Sequence, residues 1–433
     1  MSRALMALVF LAATAPAIAE DGSPVEWHAQ STYVRQFKPA FHSPYEGANS
    51  LRSGREASYT FTGTLFLGAK LPAGTEIYFN PELVQANPFS ALHGVGGFAN
   101  GEFQRGAGAT LKGYRARLFL RHAWNLSGET EQQESEQNQV RTRYAAERLV
   151  LTAGNISVLD VFDALDYSRD ARTQFMNWAS LTYGAWDYPA DARGYTWGIA
   201  LEYITPRWQA RAGRFLVPVE SNGLRLDRAF MQRYGDVAEL ELPYRLGGLP
   251  AIARGLVFRN RVQAGAFNDA NALGASSASA PDLTLVRRLQ SKTGFGLGTQ
   301  VEVTPSVGAY ARAGWSDGKT ETFMFTEIDR SLSTGLQVKG AGWGRPRDSV
   351  GVAAYFNGLS RPHRDYLAAG GQGFFLGDGR LNYGVERIAE AYYSLGVSRE
   401  AWFTLGVQRI ANPGYNRDRG PANILSFRVH AEL

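Results

Sequence analysis

The chain has 433 residues, with 45 Lys and Arg against 40 Asp and Glu, a net charge of +5, 48 glycines and no cysteine. The missing cysteines exclude a disulfide framework and a thiolate metal site. The mean hydropathy of −0.25 excludes a bundle of membrane helices, and the pI of about 9.3 does not point to nucleic acid, because the basic residues are scattered rather than run together.

In chain order, the first predicted element is an export signal over residues 1–19. Arg3 supplies the positive end, Ala4 to Ala15 an apolar run too short to span a bilayer, and Ala17-Ile18-Ala19 a small-x-small cleavage site. Cleavage there leaves residues 20–433 as a single exported domain with no helical anchor. A short apolar core helix would look similar.

The rest of the chain alternates with a period of two. Over Ser58–Lys70, Tyr59, Phe61, Leu65 and Leu67 share one face, and Ser58, Thr60, Thr62, Thr64 and Lys70 the other. At the end, Leu425, Phe427, Val429, Ala431 and Leu433 alternate with Ser426, Arg428, His430 and Glu432. A soluble sandwich alternates in the same way. The expected strands are 29–37, 57–71, 74–86, 107–126, 141–158, 192–205, 207–219, 236–248, 253–267, 294–304, 307–317, 331–340, 348–359, 386–398, 401–411 and 423–433. They number sixteen, each about the length a tilted strand needs to cross the apolar band. Short connections (71–74, 205–206, 304–306) alternate with long ones near 38–56, 87–106, 159–191, 268–293 and 360–385. The connection near 127–140 is long where a short one is expected.

Full charges sit at mid-strand. Arg115, Arg117 and Arg121 oppose Tyr114, Leu118, Leu120 and Trp124, and Arg259, Arg261 and Gln263 oppose Leu256, Phe258 and Val262. A dry core would make that very costly, whereas a wet lumen removes the cost. In lipid only a helix or a closed barrel pairs every backbone group. The expectation is therefore all-β: a transmembrane antiparallel barrel of sixteen strands with an aqueous lumen. Trp124, Trp197, Tyr203, Trp208, Trp315 and Trp402 near strand ends suit interfacial girdles.

Two blocks carry a resemblance: Asn155–Asp191 (NISVLDVFDALDYSRDARTQFMNWASLTYGAWDYPAD) and Gly373–Leu433, with NPGYNRDRGP over 412–421. They resemble the carbohydrate-selective porin family of Gram-negative outer membranes, and the likeness extends over the mature chain. It implies a sixteen-stranded barrel and passive diffusion of small sugars, glucose and similar monosaccharides, into the periplasm. Its implied surroundings are outer-membrane lipid and the barrel assembly machinery, and a homo-oligomer is compatible with it. The last residue, Leu433, departs from the aromatic ending usual in such barrels, which weakens the signal for assembly.

The resemblance also implies that segment 159–191 is a constriction loop folded into the lumen. It carries Asp160, Asp163, Asp166, Arg169, Asp170, Arg172 and Trp178. Carboxylates accept from sugar hydroxyls, guanidinium forks donate to two oxygens, and an aromatic face covers C–H groups. The alternative is a solvated loop face whose charges pair with one another. By alternation Arg115, Arg117, Arg121, Arg211, Arg259, Arg261 and Arg312 face inward, as do Glu76, Glu82, Glu202, Glu239, Glu241, Glu302 and Glu390.

No GxSxG or HExxH motif occurs, the six histidines lack metal-ligand spacing, and no cofactor or catalytic residue is expected. Ser426 and His430 share a strand face but stand roughly 13 Å apart, too far for a barrel hydrolase. A polysaccharide exporter, a general or anion-selective porin, and an adhesive barrel stay open.

Overall fold

A computed structural model describes residues 23–106, 108–325 and 327–433; the export signal lies outside the described residues. Sixteen strands close into one antiparallel barrel. They are β1 (Val25–Lys38), β2 (Glu56–Leu71), β3 (Thr75–Asn87), β4 (Gly108–Asn125), β5 (Arg148–Ile156), β6 (Thr196–Ile204), β7 (Gln209–Phe215), β8 (Tyr234–Leu246), β9 (Leu249–Ala264), β10 (Arg288–Thr304), β11 (Val307–Ser316), β12 (Arg330–Lys339), β13 (Ser349–Gly358), β14 (Glu386–Gly396), β15 (Ala401–Ala411) and β16 (Ala422–Glu432). Each strand pairs with its sequence neighbours, and β1 closes on β16 with Gln30 opposite Glu432 and Phe37 opposite Leu425. Closure leaves no sheet edge, so the ladder groups are paired without water. No helix among the described residues is long and apolar enough to cross a membrane.

The outward face is an apolar belt. Val257, Leu297 and Leu405 are 58%, 57% and 57% exposed, and Leu120, Ile199, Leu240, Leu332, Leu336 and Val352 are also exposed. Such a continuous patch is an aggregation hazard in water and ordinary solvation among acyl chains. Long loops gather at one end of the barrel and short turns at the other, with both described termini at the turn end. Two long loops beyond those expected, 216–233 and 317–329, complete the pattern.

The segment after β4 behaves differently from the expected strand 141–158. Thr142–Ala145 pairs with Thr130–Gln133 in a separate hairpin, so β5 begins only at Arg148.

Strand β4 contains a bulge. Asn80 faces Arg117 but the next residue, Pro81, faces Arg115, leaving Ala116 as the extra residue. Pro81 has no N–H to lose at the break, and the Asn155 amide of β5 donates to the Ala116 carbonyl at 2.8 Å. One extra residue reverses the alternation. Tyr114, Arg117 and Arg121 therefore point inward, whereas Arg115 points outward over the exposed Trp197 ring, 5.2 Å from its centroid. The shared inward face expected for Arg115, Arg117 and Arg121 is corrected accordingly.

Strand β9 corrects a second pair. Leu256, Phe258 and Val262 are buried inside the barrel, and the Asn260 amide between them donates to the Asp187 carbonyl of a lumen loop. Arg259 and Arg261 thus lie on the outer face near the loop end. The reason is that the lumen at this level is packed with loop aromatics rather than filled with water. Trp402 is likewise corrected. It shares the inward face of β15 with Thr404 and Gln408 and borders the lumen at the turn end instead of joining a girdle.

Candidate functional site

The loop between β5 and β6, residues 157–195, enters the barrel and is held there by inward side chains of the wall. From β14, Glu390 accepts the backbone N–H groups of Met176 and Asn177 at 2.7 and 3.2 Å. From β16, Arg428 donates to the carbonyls of Ala171, Thr173 and Gln174 at 2.9, 2.9 and 2.7 Å. From β11, Arg312 donates to the Ser180 carbonyl at 2.8 Å and pairs with Asp163 at 3.0 Å. From β8, Glu239 accepts the Asp163 N–H at 2.8 Å. Asp163 is pushed up by burial, which outweighs the Arg312 guanidinium beside it. Charged side chains that satisfy loop backbone in a dry interior fix the loop as part of the wall.

Past this loop runs a continuous cavity of about 950 Å³. Beside it lies a network of opposite charges. Arg117 forms a bidentate pair with Asp160 at 2.7 and 2.6 Å. Arg172 reaches Glu82 at 2.8 Å and Glu102 at 3.0 Å, and donates to the Thr64 hydroxyl at 3.1 Å. Arg105 approaches Glu102 at 3.4 Å and donates to the Tyr195 hydroxyl at 2.8 Å. The Tyr195 ring lies 5.2 Å from both the Arg105 and Arg117 guanidinium carbons. Burial opposes the Arg172 charge, but Glu102 and Glu82 raise its affinity for the proton well above the ordinary value. Asp170 is held below the carboxylate range: burial is outweighed by Arg172, through its charge and its backbone N–H.

An apolar wall adjoins the charges. Trp178 and Tyr188 stack with centroids 6.0 Å apart and planes 11° apart, and Phe325 lies 4.7 Å from Trp178 and 4.3 Å from Tyr188. All three rings border the cavity.

The cavity gathers Asp160, Asp163, Arg169, Asp170, Arg172, Trp178, Arg117 and Arg121 from the residues expected to touch solute. Asp166 does not reach it. It bonds Gln300 at 2.6 Å beside Tyr167 and Glu302, in a separate recess of about 470 Å³ at the turn end. Arg115, Arg259 and Arg261 lie on the outer face, as described above. Arg211 does face inward, pairing with Glu202, Glu239 and Glu241, all within 3.0 Å. Glu76 and Glu82 are also buried against the lumen. The sequence reading missed Glu102, Arg105, Tyr114, Tyr188, Tyr195 and Phe325. Glu102 and Arg105 had a visible signal, an i, i+3 charge pair inside a long loop-end segment. Phe325 had none.

The model of the carbohydrate-selective porins, OprB family, matches residues 48–433. The chain belongs to this family. It is an outer-membrane carbohydrate porin of the Gram-negative type. Among solved structures, the high-pH form of Pseudomonas putida OprB matches at 16% identity with a TM-score of 0.70, covering 95% of this chain and 94% of that one. The low-pH form matches at 11% identity and TM-score 0.50, covering 95% and 93%. No curated protein matches the chain in sequence. At these identities the structural likeness speaks for the OprB barrel architecture alone.

Proposed function

We propose that the channel admits neutral monosaccharides of the glucose class by passive diffusion, without a covalent step. One observation carries this reading: three guanidiniums that line the passage (Arg105, Arg117, Arg172) interleave with the lining carboxylates Glu102 and Asp160, with Glu82 buried behind them, beside the Trp178–Tyr188–Phe325 wall. Paired charges leave little net field for an ion, while donors and acceptors remain in reach of hydroxyls. A one-signed constriction would favour ions or a charged polymer. Arg169 adds a guanidinium that borders the passage.

The test is swelling of liposomes holding the purified porin. Glucose should enter faster than an uncharged non-sugar of equal size. Arg172→Ala should reduce that preference by about tenfold, the equivalent of ~1.4 kcal/mol for one charge-assisted contact. Equal rates for the two solutes in the unaltered protein would remove the selectivity.

A further inference from the structure

The connection between β4 and β5, residues 126–147, is by far the longest at its end of the barrel, where the others are turns of two to four residues and one segment of nine, 340–348. It does not hang free. Its hairpin folds back against the inner face of β1–β4. Glu26 of β1 accepts the Arg141 N–H at 2.9 and 3.1 Å, and the Tyr78 hydroxyl of β3 accepts the Val140 N–H at 3.2 Å. Arg121 of β4 donates to the Asn138 carbonyl at 3.2 Å, and Tyr144 bonds Glu76. Val140 is buried in a notch that exists because residue 68 is glycine. A Cβ there would stand 2.7 Å from the Val140 methyl and 2.9 Å from the Tyr78 ring.

This anchoring presents the hairpin tip to the channel. Glu136 and Gln139 bridge through two backbone bonds at 2.9 and 3.0 Å, with Gln137 and Asn138 at the apex and Asn138 in the left-handed region at φ 59°. Gln137 reaches Gln30 of β1 at 3.4 Å, and Ser135 meets His28 at 2.9 Å. The tip lines the same cavity as Asp160, Arg117 and Arg172, and Trp402 lines it too.

We infer that this hairpin is a second, exit-side filter of the channel: a fixed amide rim through which a neutral polyol passes after leaving the charged constriction. The amides of Gln137, Asn138 and Gln139 donate and accept at once, and the charges beside them carry both signs, Glu136, Glu400 and Glu432 against Arg121 and Arg399, so the rim serves hydroxyls without selecting a charge. The hold of these amides is weaker than that of ionised groups, which suits a release step in a multi-site passage. Turns of outer-membrane barrels face the periplasm, which makes this the exit for inward flow. The inference rests on the sugar reading only for the identity of the permeant.

The chain contains no cysteine, so Gln137→Cys creates a single thiol. In a planar bilayer, a bulky methanethiosulfonate reagent added from the turn side should lower its ion conductance at least about twofold, as expected for a filled constriction. Glu131→Cys, on an exposed hairpin strand outside the cavity, should show no change under the same reagent. Replacing Ser135–Gln139 by two glycines should raise the conductance and admit trisaccharides. Conductance that ignores the modification at Gln137 overturns the filter, whether or not the shortened chain folds. Failure of the sugar reading looks different: glucose and the non-sugar enter equally, yet the conductance still responds at residue 137.

Discussion

Arg428 shows how one side chain on the wall governs the geometry of the passage. It is 1% exposed and satisfies three carbonyls of the constriction loop at once. A buried carbonyl stripped of its partner costs about 1–3 kcal/mol. Arg428→Met keeps most of the volume and removes all three bonds. The expected result is a loss of about 3 kcal/mol or more against denaturant in detergent micelles, with noisy single-channel current as the loop moves. Quiet current and unchanged stability would show that Arg312 and Glu390 hold the loop alone. The sequence placed Arg428 on the polar face of its strand correctly. It could not reveal the partners, which lie 254 to 257 residues away in the chain. Much the same holds for Glu82, legible as a lumen carboxylate but not as the partner of Arg172 and Tyr114.

At the level of strands, alternation located all sixteen, and most boundaries agree within a few residues. It marks two faces without saying which is inside, and that is where the reading failed. In β4 the extra residue at Ala116 reversed the phase, so that Arg115 and Arg117 point opposite ways. In β9 the apolar residues turned inward because the loops make that part of the lumen dry. The bulge gives a prediction of its own. The Ala116 carbonyl has lost its ladder partner within the membrane-spanning strand, and the Asn155 amide takes its place at 2.8 Å. Asn155→Leu is nearly isosteric but cannot donate. It should leave an unpaired carbonyl in a setting without water, costing about 1–3 kcal/mol and lowering the temperature at which the folded band on a gel converts to the unfolded one. Asn155→Gln, which restores a donor on a longer arm, should recover part of the loss. An unshifted temperature for Asn155→Leu would mean that the carbonyl is served by water.

Taken as a whole, the barrel is dry at its loop end and wet at its turn end, and the loop end is closed by segments that grip one another as well as the wall. Their grip centres on His363, in the helix Arg361–Ala368 between β13 and β14. His363 is fully buried, with Nδ1 2.9 Å from Asp329, Nε2 3.5 Å from Glu327, and the Phe267 ring stacked at 4.2 Å. Burial alone would lower the imidazole, but the Asp329 and Glu327 carboxylates raise it to about 9. Burial alone would raise Asp329, but His363 and Lys292 hold it well below the ordinary carboxylate. A histidine whose folded value is raised stabilises fully below its unfolded value of about 6.5 and loses that contribution as pH climbs through about 9. A depressed aspartate contributes above about 3.9 and loses it as pH falls. The pair therefore holds the loops together fully between about pH 4 and pH 6.5 and ever more weakly from there to about pH 9. Amide exchange, corrected for its intrinsic pH dependence, should show steady protection of residues 317–325 and 359–385 from about pH 5 to pH 6.5, a progressive decline from there to about pH 9, and a plateau above it. The strands should show no such step. His363→Gln keeps a hydrogen bond to Asp329 without the charge, so it should weaken protection near neutrality and abolish the alkaline step. If protection in those loops is the same at pH 6 and pH 9 in the unaltered porin, the closure of the loop end does not depend on this ion pair, and the apolar packing around Phe267 and Tyr366 sustains it unaided.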